Sequence, residues 1–270
     1  MSKTDNAIHE MNQLNTLALR DQWMNQLHPL VKFVLTVLYI AVVVSFQKYD
    51  VTGLLGMMVY PLVMFMLSEL SFTESLRRLR LVLPLVCFIG ILNPFFDHNR
   101  IVVGGVEMSA GILSMVTLIL KGCFCVFASY ILIATTTIEK LCYALRLIHV
   151  PKIMVNQFLL TFRYVTLLLA EVSRITQAYS LRAPKQKGVH IKAWGSLVGQ
   201  LLLRSMDRAN EVYESMQTRG FSGEFTYIGA GTRLKIRDVV FLLVWIVIFA
   251  VVRIFPVLVL IGTWTSGLLG

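Results

Sequence analysis

Acidic residues are the scarce class in this chain: 15 Asp and Glu stand against 25 Lys and Arg, and charged residues together make up only 15% of the sequence. Soluble domains carry about 25% charged and about 45–50% apolar residues. With 56% hydrophobic residues over 270 positions and a mean hydropathy of +0.71, the chain calls for a bilayer. The four cysteines, Cys87, Cys123, Cys125 and Cys142, make no disulfide framework. Cys123 and Cys125 point about 200° apart around a helix and cannot share a metal, so all four read as small buried hydrophobes. Catalytic motifs are missing as well. No G-x-x-x-x-G-K-[ST] loop occurs to cradle nucleotide phosphates, and His9, His28, His98, His149 and His190 lack metal-binding spacing. Gly229-Ala230-Gly231 has no third glycine and reads as a juxtamembrane turn; Asp97-His98 reads as ordinary loop chemistry. No segment sustains period-two alternation, which predicts an all-helical protein.

What the chain does have is apolar runs. Leu30 to Phe46 and Val51 to Leu67 read as a helical hairpin, Leu81 to Phe96 as a third span interrupted at Asn93-Pro94, Gly111 to Ala134 as a fourth, and Asp238 to Gly262 as the last. Met1 to Leu27 lacks the pattern of a signal peptide and is expected to remain in the mature protein. Between Thr136 and Arg237 stand fifteen Lys and Arg against six Asp and Glu, +9 of the net +10. Positive charge concentrated beside membrane spans marks the cytoplasmic side, as do Arg77, Arg78 and Arg80, and the N-terminus follows them inside. This distribution argues against a nucleic-acid partner. The expected fold is an all-α integral membrane protein: about five transmembrane helices with a cytoplasmic domain of long amphipathic helices, divided at 1–135, 136–237 and 238–270. Lys121 and Arg253 fall inside spans, where a charge is costly and either functional or paired with a neighbouring helix.

The cytoplasmic segment opens with a surface helix bearing Ile138, Leu141, Cys142, Leu145 and Ile148 on one face. Pro151 to Arg182 and His190 to Arg219 then form two long antiparallel helices around a basic turn, Lys185 to Gly188. The first is greasy enough in its early half to enter the bilayer, although Asn156, Gln157 and Arg163 also suit a helix contact. On the second, Met206, Ala209, Val212, Tyr213 and Met216 make one stripe. Both end on an arginine followed by a small residue. Seven, four and three residues before Arg182 lie Ile175, Ala178 and Tyr179; before Arg219 lie Val212, Ser215 and Met216. After Arg182 comes Ala183-Pro184, and Pro184 forbids continuation. Gly220 after Arg219 can close a helix, with the arginine merely meeting the negative dipole end. The repetition supports a second meaning, a partner with two equivalent sockets. The two heads would face one region only if the second helix bends or breaks near Gly195 or Gly199.

At these residues the sequence resembles the transmembrane T component of energy-coupling factor transporters. Ser205, Arg208, Ala209, Val212, Met216, Arg219, Gly220 and Phe221 follow the second arginine motif of that family closely, while Leu181-Arg182-Ala183 departs from its usual Ala-Arg-Gly. Further similarity lies in HPLVKF at His28 to Phe33, VVVSF at Val42 to Phe46, LNPFF at Leu92 to Phe96 and the stretch Val150 to Val172. The middle two point to the cobalt and nickel branch. The resemblance implies that Leu181, Arg182, Ala183 and Thr218, Arg219, Gly220 dock into two ATP-binding-cassette ATPase subunits. It further implies a separate substrate-binding membrane subunit, no cofactor or catalytic residue in this chain, ATP hydrolysis by the partners, and a place in the plasma membrane of a prokaryote. Cobalt or nickel is then the expected substrate, with vitamins the alternative. Residues alone leave two further readings open, an intramembrane enzyme or a solitary carrier built on Lys121, Arg253, Asn93 or His98.

Overall fold

The structure is a computed structural model that describes residues 11, 13, 15–20, 22–70, 79–80, 83–84, 86–91, 94, 100–103, 106–184, 188–223 and 234–254. Its helices are α1 Pro29–Ser45, α2 Val51–Gly56, α3 Val59–Ser68, α4 Ala110–Thr135, α5 Ile138–Leu147, α6 Lys152–Arg182, α7 Ile191–Thr218 and α8 Ile236–Ile254. Two compact units result: Met1–Leu17 with Ile138–Gly231, and Ala18–Thr137 with Thr232–Gly270. The protein is an all-α membrane protein, and among the described residues three stretches are long and apolar enough to cross a bilayer: Val51–Ser68, Ala110–Thr135 and Lys152–Arg182. The apolar α1 has 17 residues and α8 has 19. Of the expected span Leu81 to Phe96, residues 83–84, 86–91 and 94 are described, and they are helical. Close packing brings that stretch onto α4, since a Cβ on Gly122 would approach both Val86 methyls at 3.2 Å. Asn93, Asp97, His98, Lys185, Gly229-Ala230-Gly231 and the end of the last expected span, residues 255–262, lie outside the described residues.

Two local features depart from the sequence reading. The segment between the third and fourth spans holds an antiparallel hairpin, β1 Arg100–Val103 and β2 Val106–Ser109, with Arg100 opposite Ser109 and Val103 opposite Val106. Strands of four residues are too short to show sustained alternation, although Gly104-Gly105 between two valines is a two-residue hairpin signal. The second span is also broken, its helix interrupted at Met57-Met58. The break is satisfied from outside: the Tyr39 hydroxyl donates to the Met57 carbonyl at 3.0 Å. Tyr39 stacks on Tyr60 at 4.3 Å, and Phe249 and Trp245 of α8 meet Tyr60 edge-on at 5.4 Å and 5.0 Å. Each such pair adds about 0.5–1.5 kcal/mol beyond its buried area, so this cluster ties α1, α3 and α8 together.

The HPLVKF stretch has a physical explanation. His28 accepts the Leu30 amide at 3.2 Å through Nδ1, which caps α1, and Pro29 occupies a first-turn position where its missing N–H costs nothing. Lys32 is 3% exposed, and its Nζ donates to the Thr135 carbonyl, the last of α4, at 2.8 Å.

Candidate functional site

The arginine-bearing helices form a hairpin in the unit containing Ile138–Gly231. Helix α5 ends on a left-handed His149 at φ 67°, with Val150 N–H bonding back to the Leu145 carbonyl at 3.2 Å, and α6 then starts beyond Pro151. Within the α5 stripe Cys142 is buried while Ile148 is exposed, and Ala144 joins the packed face. Burial pushes the Cys142 thiol up, which suits the expected role of a small neutral hydrophobe. Helices α6 and α7 run antiparallel. The Glu171 carboxylate pairs with Arg204 across the hairpin and with Arg174 on its own helix at 3.7 Å. At the open end the Asn156 amide donates to the Gly223 carbonyl at 2.8 Å.

Between these helices lies a groove of about 790 Å³, with Leu160, Leu201, Val212 and Met216 among its apolar walls and Glu171, Arg204 and Arg208 among its polar ones. The stripe read from sequence is largely the inward one. Ala209, Val212, Tyr213 and Met216 line the groove, and of the stripe Met206 alone lies outside it, at 57% exposure. Together with Ile191, Trp194, Val198 and Leu202, Met206 forms a second, exposed apolar row along α7. Helix α6 is similarly open, with Ile153 80% and Phe158 53% exposed.

Each helix end carries its arginine differently. Arg182 is the last residue of α6, and the Ala183 amide closes the final turn on the Tyr179 carbonyl at 3.0 Å. Leu181 beside it is 82% exposed. Arg219 is instead the residue that caps α7. There Phe221 N–H reaches Met216 O at 3.0 Å and Gly220 N–H reaches Gln217 O at 2.9 Å, the paired bonds of a Schellman motif. Gly220 takes φ +76°, a conformation that costs any residue with a Cβ about 1–2 kcal/mol. Thr218 returns its hydroxyl to the Ser215 carbonyl at 3.0 Å. Both arginines are exposed, and neither guanidinium forms an ion pair among the described residues.

The bend near Gly195 or Gly199 on which convergence of the two heads depends is absent. Ile191–Thr218 is one uninterrupted α-helix through Gly195 and Gly199. Arg182 and Arg219 therefore occupy opposite ends of the hairpin, roughly 40 Å apart if the 26 residues from Asn156 to Arg182 rise 1.5 Å each. They are suited to two separate contacts, not to one shared pocket.

Lys121 and Arg253, the charges inside spans, are both committed to one structural task. Lys121 Nζ donates to the Val44 and Phe46 carbonyls at 3.2 Å and 2.5 Å. Arg253 Nη2 donates to the Ser45 carbonyl at 3.3 Å while its guanidinium lies 4.7 Å from the centre of the Phe46 ring. These carbonyls end α1, where no intrahelical donor remains. Two cations from two other helices thus satisfy the VVVSF end of α1, a function that sequence spacing could not reveal. Among the described residues no group of three His, Cys, Asp or Glu side chains could hold a metal ion.

The described residues thus comprise an apolar helical bundle and an arginine-tipped amphipathic hairpin, the parts of an integral membrane protein. The chain belongs to the CbiQ family of cobalt transport proteins, which it matches over residues 20–228. It is 25% identical over 219 residues to the energy-coupling factor transporter transmembrane protein EcfT of Lactococcus lactis, covering 75% of this chain and 82% of that one. It is 28% identical over 116 residues, 42% of each chain, to the nickel permease LarQ of Lactiplantibacillus plantarum. An uncharacterized protein of Methanocaldococcus jannaschii shares 24% identity over 206 residues, 72% of this chain and 70% of its own.

Proposed function

We propose that the chain is the non-catalytic coupling subunit of an energy-coupling factor importer, carrying motion from two ATPase subunits to a substrate-binding membrane subunit. The observation that carries this reading is the placement of Arg182 and Arg219, two exposed guanidinium groups at opposite ends of one hairpin. Two equivalent subunits of an ATPase pair present two separated sockets, and a rigid fork of donors suits each. The likeness to EcfT across three quarters of the chain supports the same assignment. ATP is hydrolysed by the partners, and this chain holds no cofactor. On this reading the hairpin lies on the cytoplasmic side, α6 included although it is long and apolar enough to span, because its excess of Lys and Arg favours that side. An impermeant thiol reagent added to intact cells should therefore fail to label a cysteine placed at Gly188, and rapid labelling from outside would reverse the orientation.

The substrate on this reading is cobalt or nickel, a choice favoured by the family description and by the nickel permease relative. The metal is bound by the separate substrate-binding subunit. Cells expressing the whole complex should accumulate cobalt(II) or nickel(II), and omission of this chain should bring accumulation to background, while the purified chain alone binds neither tightly. Unchanged metal uptake alongside lost vitamin uptake would assign the subunit to vitamin import instead.

A further inference from the structure

Helices α1 and α4 cap one another. Lys121 of α4 holds the C-terminal carbonyls of α1, and at the other end Lys32 of α1 holds the last carbonyl of α4. The second of these ends is the more deeply buried and leads directly to the arginines. Thr135 is fully buried, Lys32 and Thr136 nearly so, and the chain passes three residues later, at Ile138, from the membrane unit into the unit that carries both arginines. The Thr135 hydroxyl is turned back on the Ile131 carbonyl at 2.8 Å, so the last turn of α4 is tied from within and from α1.

We propose that Lys32 is a positioning residue for coupling: it clamps the end of α4, so that displacement of the arginine-bearing unit moves α1 and α4 together. Helix ends are the parts of a helix that open most readily, because their last carbonyls lack intrahelical partners. A pull applied at Thr137 on a loose end would unwind the final turn and be absorbed there. A buried ammonium on the final carbonyl opposes this, since a charge-assisted bond of that kind shifts a held-to-frayed equilibrium by roughly ten- to a hundred-fold. The other end of the connection is equally fixed. Lys32 belongs to the first turn of α1, whose start is set by the His28 cap and Pro29. The inference rests on the coupling function proposed above, and concerns how much transport each ATP yields.

The test uses the full complex with its ATPases and substrate-binding subunit in proteoliposomes, loaded with radioactive cobalt(II) or nickel(II). Lys32→Met keeps the length of the side chain and removes the ammonium. The expected result is retained assembly and ATP hydrolysis near the wild-type rate, with metal moved per ATP reduced about ten-fold. Faster amide exchange at 135–137 should accompany it, and Lys32→Arg should restore the ratio at least in part. A merely structural role would lower assembly and hydrolysis together and leave the ratio unchanged, and that outcome overturns the inference. If Lys32→Met does not fold, Lys32→Gln, which retains a donor without the charge, is measured in the same way, and an unchanged ratio there overturns the inference equally. A wild-type complex that hydrolyses ATP but moves neither metal would instead defeat the coupling function on which the inference rests.

Discussion

On the proposed coupling role, a chain carrying both Arg182→Ala and Arg219→Ala should insert normally into the membrane, purify without ATPase subunits and support no transport. A guanidinium is always charged and offers five donors in a fixed plane, so against carboxylates or exposed helix carbonyls it makes bonds that lysine cannot reproduce. Truncating one such group at an interface costs about 2–5 kcal/mol, partly because the opposing groups remain buried and unpaired. At a separation of roughly 40 Å the two losses should add, weakening association by about a thousand-fold or more. The competing explanation gives each arginine only a share in closing its helix, worth about 0.3–1 kcal/mol and largely restored by lysine. The end of α7 argues against that explanation, because the Phe221 and Gly220 amides already cover the Met216 and Gln217 carbonyls. Co-purification of the ATPases with single, double and lysine variants decides between them. A double variant that keeps both ATPases and normal uptake would remove the functional role of these helix ends.

Patterns that depend on neighbours in sequence are legible without the fold. Apolar runs place α1 and α4 to within a residue or two of their observed limits, since such runs have one environment available to them. Pro151, Pro184 and Gly220 mark the ends of the long amphipathic helices for steric reasons that need no tertiary partner. Features set by another helix are not legible. The interruption at Met57-Met58 is stabilised by Tyr39, 18 residues earlier in sequence, and nothing local to the span announces that donor. The inward face of α7 is visible in four of the five stripe residues, while Met206 belongs to a second apolar row that only contact with α6 distinguishes from the first. The arginine positions are readable to the residue, whereas their separation follows from the unbroken course of α7 past two glycines that permit a break without requiring one.

The intramembrane charges show most clearly why the same residue can suggest opposite roles. An isolated lysine or arginine in a span is by default a candidate for chemistry or substrate binding, and on that basis Lys121→Met or Arg253→Met alone should abolish activity while leaving the fold intact. Their observed partners predict the reverse. Lys121 and Arg253 between them satisfy three successive carbonyls, Val44, Ser45 and Phe46. Removing a charged donor from such a group costs about 1.5–3 kcal/mol, less where water can reach the carbonyl. Each single variant leaves the other cation in place beside the exposed end of α1. Single substitutions should therefore lower the melting temperature moderately with transport largely kept. The double substitution leaves the whole end unsatisfied, and its destabilisation should exceed the sum of the singles by about 1 kcal/mol, as expected for groups that share a partner. Thermal unfolding of the detergent-solubilised singles and double, alongside uptake, separates the two roles. Unchanged melting temperatures together with lost transport would show that these cations act on substrate and not on α1.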